Sequence, residues 1–131
     1  MCQKEKSVLE PSIEEIRYAL RSACGTMNYW KLFPNNNAPM MTDGVKTMAE
    51  LCKAYWLVYD IIAYQVRPEV RNESFQVWKL IPYDENKAKL YCDDGNHREL
   101  LSVNVKYTDF PLPEGIKLYL TNGVLLLPSE Y

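Results

Sequence analysis

Histidine is almost missing from this chain: His97 is the only one in 131 residues. Chemistry that needs two imidazoles is therefore excluded, the His-Glu-x-x-His zinc helix included. The four cysteines, Cys2, Cys24, Cys52 and Cys92, form no Cys-x-x-Cys pair, so the usual structural zinc patterns are absent too. Only five glycines are present, and they build neither a phosphate-cradling loop nor a Gly-x-Ser-x-Gly elbow. Fifteen basic residues against seventeen acidic ones leave a net charge of −2, which offers nucleic acid no global basic field. The longest apolar run, residues 54–66, is interrupted by Asp60 and is too short to span a bilayer. Met1 to Lys6 reads Met-Cys-Gln-Lys-Glu-Lys with no apolar stretch behind it, so no secretory signal is expected. The expectation is a cytoplasmic protein with reduced thiols, no metal, no cofactor and no membrane partner.

What is present is an ordinary globular composition, 47% hydrophobic and 24% charged, in a length that suits one core. Residues 1–11 read as a flexible leader and residues 12–131 as a single α+β domain. Ser12 with Glu15 makes a capping box, and Ile13, Ile16, Leu20 and Ala23 follow at helical spacing. Gly25 stands where a left-handed C-terminal cap is wanted. Residues 27–33 read as extended, and the proline- and asparagine-rich residues 34–39 as a loop. Thr42 or Asp43 caps a second helical region through Val45, Met48, Ala49 and Cys52. That region continues from Tyr55 to Val66 after a kink near Lys53 and Ala54, and Pro68 stops it. From Ser74 the period changes to two, in segments around residues 75–81, 88–92, 101–107, 116–121 and 124–127. Asn122-Gly123 is the sequence of a type I′ hairpin turn. The predicted fold is α+β, with N-terminal helices packed on a C-terminal antiparallel β-meander of about five strands.

Several residues are candidates for chemistry or binding. Cys92 and His97 flank a four-residue turn, which would set a thiol opposite a base across a hairpin. Cys92 also shares an apolar strand face with Ala88 and Leu90, which favours an inert core thiol. Asp93-Asp94-Gly95-Asn96 carries oxygens, but glycine stands third rather than sixth, so it reads as a turn and not a calcium loop. On the apolar helix, Lys53, Trp56, Asp60, Tyr64 and Arg67 fall within about one third of the circumference at about 100° per residue. Trp56, Asp60 and Tyr64 form the first candidate binding face. Trp78, Tyr91 and Tyr119 form the second, expected on the outward side of the sheet among Lys87, Lys89, Lys106 and Lys117. Tyrosine and tryptophan recur in interface hot spots because they combine large contact area with a polar tip. A solvated face leads this reading, protein binding comes second, and an RNA-binding sheet comes third.

Six fragments also carry a resemblance. They are Thr42-Asp43-Gly44-Val45-Lys46, Ala54-Tyr55-Trp56-Leu57, Phe75 to Leu80, Cys92 to Asn96, Tyr107 to Leu112 and Asn122 to Tyr131. In order and spacing they resemble a bacterial family known as a domain of unknown function, found on chromosomes, mobile elements and phage genomes. The resemblance covers residues 41–131, and Gly25-Thr26 and Tyr29-Trp30 extend it. It implies no catalytic residues. It implies a setting in which small accessory proteins bind host proteins, by analogy. The function expected is a non-catalytic protein-binding module of a phage or mobile element, acting on a host protein or ribonucleoprotein effector. An anti-CRISPR-like inhibitor of a nucleic-acid-targeting defence system is the sharpest form of that expectation. The alternatives are a small cytoplasmic enzyme using Cys92 and His97, and direct nucleic-acid binding.

Overall fold

The computed structural model describes residues 11–34 and 37–131. The leader expected over residues 1–11 lies, apart from Pro11, outside the described residues. Helix α1 (Ile13–Ser22) opens on the expected capping box. Glu15 N donates to Ser12 Oγ at 3.1 Å and Ser12 N donates to Glu15 Oε1 at 2.8 Å. The helix closes differently from the reading above. Ala23 is extended and its amide bonds Leu20 O, so no left-handed cap forms at Gly25.

Two short strands follow, β1 (Tyr29–Lys31) and β2 (Met40–Thr42). The second had no counterpart in the sequence reading, because three residues cannot display an alternation. Thr42 then caps α2 (Asp43–Leu51), its hydroxyl accepting from Val45 N at 3.3 Å. The kink expected near Lys53 is a full break. Lys53 is left-handed, with φ 54°, and α3 (Tyr55–Ala63) starts afresh. A 3₁₀ turn over Tyr64–Val66 leads to Pro68, which ends that region and opens α4 (Pro68–Arg71). Proline suits a first helical position because the amide it lacks has no partner there.

The remaining strands are β3 (Phe75–Asp84), β4 (Lys87–Asp93), β5 (Glu99–Val105), β6 (Ile116–Thr121) and β7 (Val124–Leu126). They form the expected antiparallel meander within a larger mixed sheet of seven strands, ordered β1-β2-β7-β6-β3-β4-β5. β6 returns to the far side of β3, and β7 joins β2 in a parallel pair. Asn122 and Gly123, with φ 53° and 74°, make the β6–β7 turn that their sequence predicts.

The core lies between the helices and one face of the sheet. Trp78, Leu80, Leu90, Cys92, Leu118 and Leu125 pack there with Val45, Met48, Leu57, Val58 and Ile61. Trp78 is therefore not on the outward face as expected: it is 1% exposed. Register explains the correction. Trp78 lies opposite Cys92 on β4 and Leu118 on β6, both inward residues, and Lys79 takes the outward position beside it. The Trp78 indole finds its partner inside, donating to Gln76 Oε1 at 2.9 Å. Gln76, also buried, completes an amide pair with Gln65. Burying a polar side chain is tolerable when its hydrogen bonds are met in this way.

The end of the chain closes over the start of α2. The Glu130 carboxylate accepts from Thr42 Oγ1 at 2.6 Å, Leu127 N at 2.9 Å and Gly44 N at 3.1 Å. A Cβ on Gly44 would stand 2.7 Å from three carboxyl atoms of Glu130. Next to it Asp43 turns the other way. Its carboxylate accepts from Trp30 Nε1 at 2.8 Å, Met27 N at 3.0 Å and Asn28 N at 3.3 Å. Those donors hold the Asp43 carboxyl below the usual range, the Trp30 bond being the strongest cause.

Candidate interaction face

With helices on one side, the other side of the sheet is built from the alternate residues of the same strands. Strand β3 contributes Phe75, Val77 and Lys79, β4 contributes Lys89, Tyr91 and Asp93, and β6 contributes Lys117 and Tyr119. Tyr91 and Tyr119 are thus outward, as expected. Their surroundings include residues that the sequence reading missed. Phe75, Tyr119 and Tyr131 form a three-ring cluster, with centroids 5.1, 5.4 and 5.5 Å apart. Tyr131 is 74% exposed at its edge. Val77 lies beneath, and the turn at Gly95 leans over Phe75 and Val77. The missed signal was parity: placing Lys79 outward places Phe75 and Val77 outward with it, and Trp78 inward.

The charges on this face are arranged unevenly. Lys79 reaches Asp93 at 3.7 Å. Lys117 stands directly opposite Lys79 across the β3–β6 pair, and no ion pair reaches Lys117 among the described residues. Like charges in register repel, so this part of the face favours an anionic neighbour. The Lys89 ammonium lies 5.5 Å from the Tyr91 ring centroid, within cation–π range. The result is an aromatic patch beside a positive one in a chain of net charge −2.

The first candidate face does not assemble as one surface. Trp56 and Tyr64 are half-buried against the core, whereas Asp60 is exposed. Tyr64 stacks on Trp78, with centroids 6.1 Å apart and planes 19° from parallel, so the structure joins one residue from each candidate face inside the protein. The Arg67 guanidinium lies over the Tyr64 ring, 6.0 Å from its centroid. Partial burial pushes the Asp60 carboxyl up, and no hydrogen bond reaches it among the described residues.

Nor are Cys92 and His97 brought together. Cys92 is fully buried on the helix side, and that burial pushes its thiol up to about 12. His97 is exposed in the turn beyond β4, with φ 69°, and no hydrogen bond links the two. The Asp93–Asn96 segment is the turn expected. Asp93 Oδ1 accepts from Gly95 N and Asp94 Oδ1 from Asn96 N, both at 2.8 Å. Asp94 also accepts from Arg98, and these bonds hold its carboxyl low, the Asn96 amide first. Among the described residues no three His, Cys, Asp or Glu side chains are grouped to hold a metal ion. No helix among them is long and apolar enough to cross a membrane.

A groove of about 750 Å³ opens where Pro34, Pro39, Ile62, Val66 and Leu120 surround the Gln65–Gln76 pair. No buried side-chain nitrogen or oxygen among the described residues lacks a hydrogen bond, so this groove presents no unmet buried group to a ligand.

The model of DUF6876, a family of unknown function, matches residues 14–131. The chain belongs to that family. The match takes in α1 and β1, beyond the six fragments that carry the resemblance, and covers nearly all described residues of this DUF6876 chain. No curated protein matches the chain. No solved structure matches it either.

Proposed function

We propose that this DUF6876 protein is a non-catalytic binding module that presents the outer face of its sheet to an acidic patch on a partner protein. The observation that carries the reading is the Phe75, Tyr119 and Tyr131 cluster beside Lys79, Lys89, Tyr91 and Lys117, on the face of the sheet opposite the core. Aromatic anchors at the centre with a polar, charged rim around them are the composition of a protein interface. The phage and mobile-element setting implied by the resemblance supports a host machine as the partner. A nucleic-acid-targeting effector such as a CRISPR nuclease is the first to try, with inhibition as the outcome. Binding through protein contacts suits a chain of net charge −2 better than broad mimicry of nucleic acid.

The test is co-expression with candidate defence effectors, read by phage survival and by capture of the effector on tagged protein. Tyr91→Ala combined with Lys117→Glu should weaken capture by about 30-fold or more, the loss of about 2 kcal/mol that marks a hot spot. Circular dichroism should show that the variant is folded. Undiminished capture by that variant, or loss of protection on Cys92→Ser alone in a protein that circular dichroism shows to be folded, refutes the reading. RNA binding predicts instead an affinity for single strands that falls steeply with salt.

A further inference from the structure

The two edges of the sheet are built differently. At one end β1 has three residues and carries Lys31. At the other, β5 runs for seven residues, Glu-Leu-Leu-Ser-Val-Asn-Val, with no lysine, arginine or proline. Natural sheets guard exposed edges with charge, proline, bulges or short strands, because a free row of amides and carbonyls invites another strand; the bulge in β5 lies at Leu100, which leaves residues 101–105 regular. Among the described residues no backbone or side-chain hydrogen bond reaches the outer edge of β5.

We propose that β5 is a dimerisation strand, pairing antiparallel with β5 of a second copy of this chain about a two-fold axis at Ser102. The strand is self-complementary in that register. Ser102 is its midpoint, and each Leu101 stands opposite a Val103 of the other copy. Both of these residues point to the helix side, where Leu101 is opposite Cys92 and Val103 opposite Leu90 on β4. Apolar residues therefore meet apolar ones on the inner face, and Ser102 meets Ser102 on the outer. Glu99 lies beyond the bulge at Leu100 and is the only charged residue of β5, so no like charges oppose each other within the strand. Just beyond it Arg98 would face Lys106, but Arg98 is already paired with Asp94 at 3.3 Å and Glu73 at 2.6 Å. The pairing makes one continuous sheet and sets the two Tyr91-bearing faces side by side. It goes beyond the binding reading above and does not depend on it.

Sedimentation of the full chain across the micromolar range should show its mass doubling from 15.3 kDa. Ser102→Lys and Ser102→Glu should each be monomeric, and an equal mixture should restore the dimer. In a background with Cys2 and Cys24 replaced by serine, oxidised Ser102→Cys should give a covalent dimer. Asn104→Cys should not, because its two copies would be separated by four residues of strand, roughly 13 Å and beyond disulfide reach. Circular dichroism confirms that each variant is folded. A wild-type monomer throughout the range overturns the proposal, as does equal cross-linking at 102 and 104. Loss of effector capture by Tyr91→Ala/Lys117→Glu without loss of the dimer would leave it standing.

Discussion

Gly44→Ala should destabilise this protein only while Glu130 is present. Gly44 lies in the first turn of α2 with an ordinary helical backbone, where alanine alone is preferred by up to about 1 kcal/mol. The cost comes from across the chain. The added Cβ would stand 2.7 Å from Glu130 Cδ, Oε1 and Oε2, so the carboxylate must leave its seat. It then gives up the Thr42 hydroxyl and the Leu127 and Gly44 amides, at 2.6, 2.9 and 3.1 Å. Hydrogen bonds to a charged group contribute about 1.5–3 kcal/mol, and an anion at a helix start adds about 0.3–1 kcal/mol. Water replaces part of this at a half-buried site. Glu130→Ala should therefore cost about 2–3 kcal/mol and Gly44→Ala about 1–2 kcal/mol after its helix preference is credited. In the Glu130→Ala background the same Gly44→Ala should be neutral or stabilising by up to about 1 kcal/mol, a coupling of roughly 2 kcal/mol. Urea unfolding followed by tryptophan fluorescence measures all four corners. A midpoint shift of about 1 M is expected for either single variant, given the usual slope. If Gly44→Ala costs the same in both backgrounds, the carboxylate does not hold the helix start and the reasoning fails.

Four further outcomes follow from other parts of the molecule. Trp78→Phe, which empties space in the core and removes the donor to Gln76, should cost about 2–3 kcal/mol; a melting temperature within a degree of wild type would contradict that placement. In a Cys2→Ser variant, a thiol reagent at pH 8 should modify exposed Cys24 quickly, and Cys52 and Cys92 only as fast as the protein unfolds. Burial raises both of these thiols from 9.0 to about 12, so the neutral form is favoured in the fold. Their contribution is complete below pH 9 and is lost as pH rises towards 12, a decline that Cys52→Ala and Cys92→Ala should each reduce. Asp60→Asn should stabilise the protein at pH 7, because burial raises the Asp60 carboxyl and disfavours its charged form; the gain should disappear at a pH below the ordinary aspartate range.

The elements that were legible in the sequence are those whose partners are close along the chain. Ser12 and Glu15 lie one turn apart, Thr42 caps an amide three residues on, and Asn122-Gly123 is a complete turn in itself. Distance along the chain hid the rest. The carboxylate of Glu130 acts on residues more than eighty positions earlier, and β2 is a strand only because β7 and β1 flank it. Trp78 shows a different failure. Its size suggested an exposed anchor, although the neighbouring Lys79 already fixed the parity of β3. Tyr91 and Tyr119 were legible as outward residues, but the aromatic cluster with Phe75 and Tyr131 depended on how the chain's end folds back. Several motifs behind the resemblance have architectural roles here: Thr42-Asp43-Gly44 and Ser129-Glu130-Tyr131 meet, and Asp93 to Asn96 is a self-bonded turn.

The position of β7 has a consequence for synthesis. This short strand is made after the other six, yet it lies in the interior of the sheet, with β2 on one side and β6 on the other. About 80 residues separate β2 from β7. At ordinary translation speeds β2 waits roughly 4–16 s for its neighbour, with that edge open. During that interval β3, β4, β5 and then β6 can pair, and α2 and α3 can pack on their inner face, but the β1–β2 pair has no strand through which to join the sheet. The order of assembly therefore runs against the order of emergence, and a ribosome stalled before residue 124 would hold two unconnected edges rather than a smaller version of the fold.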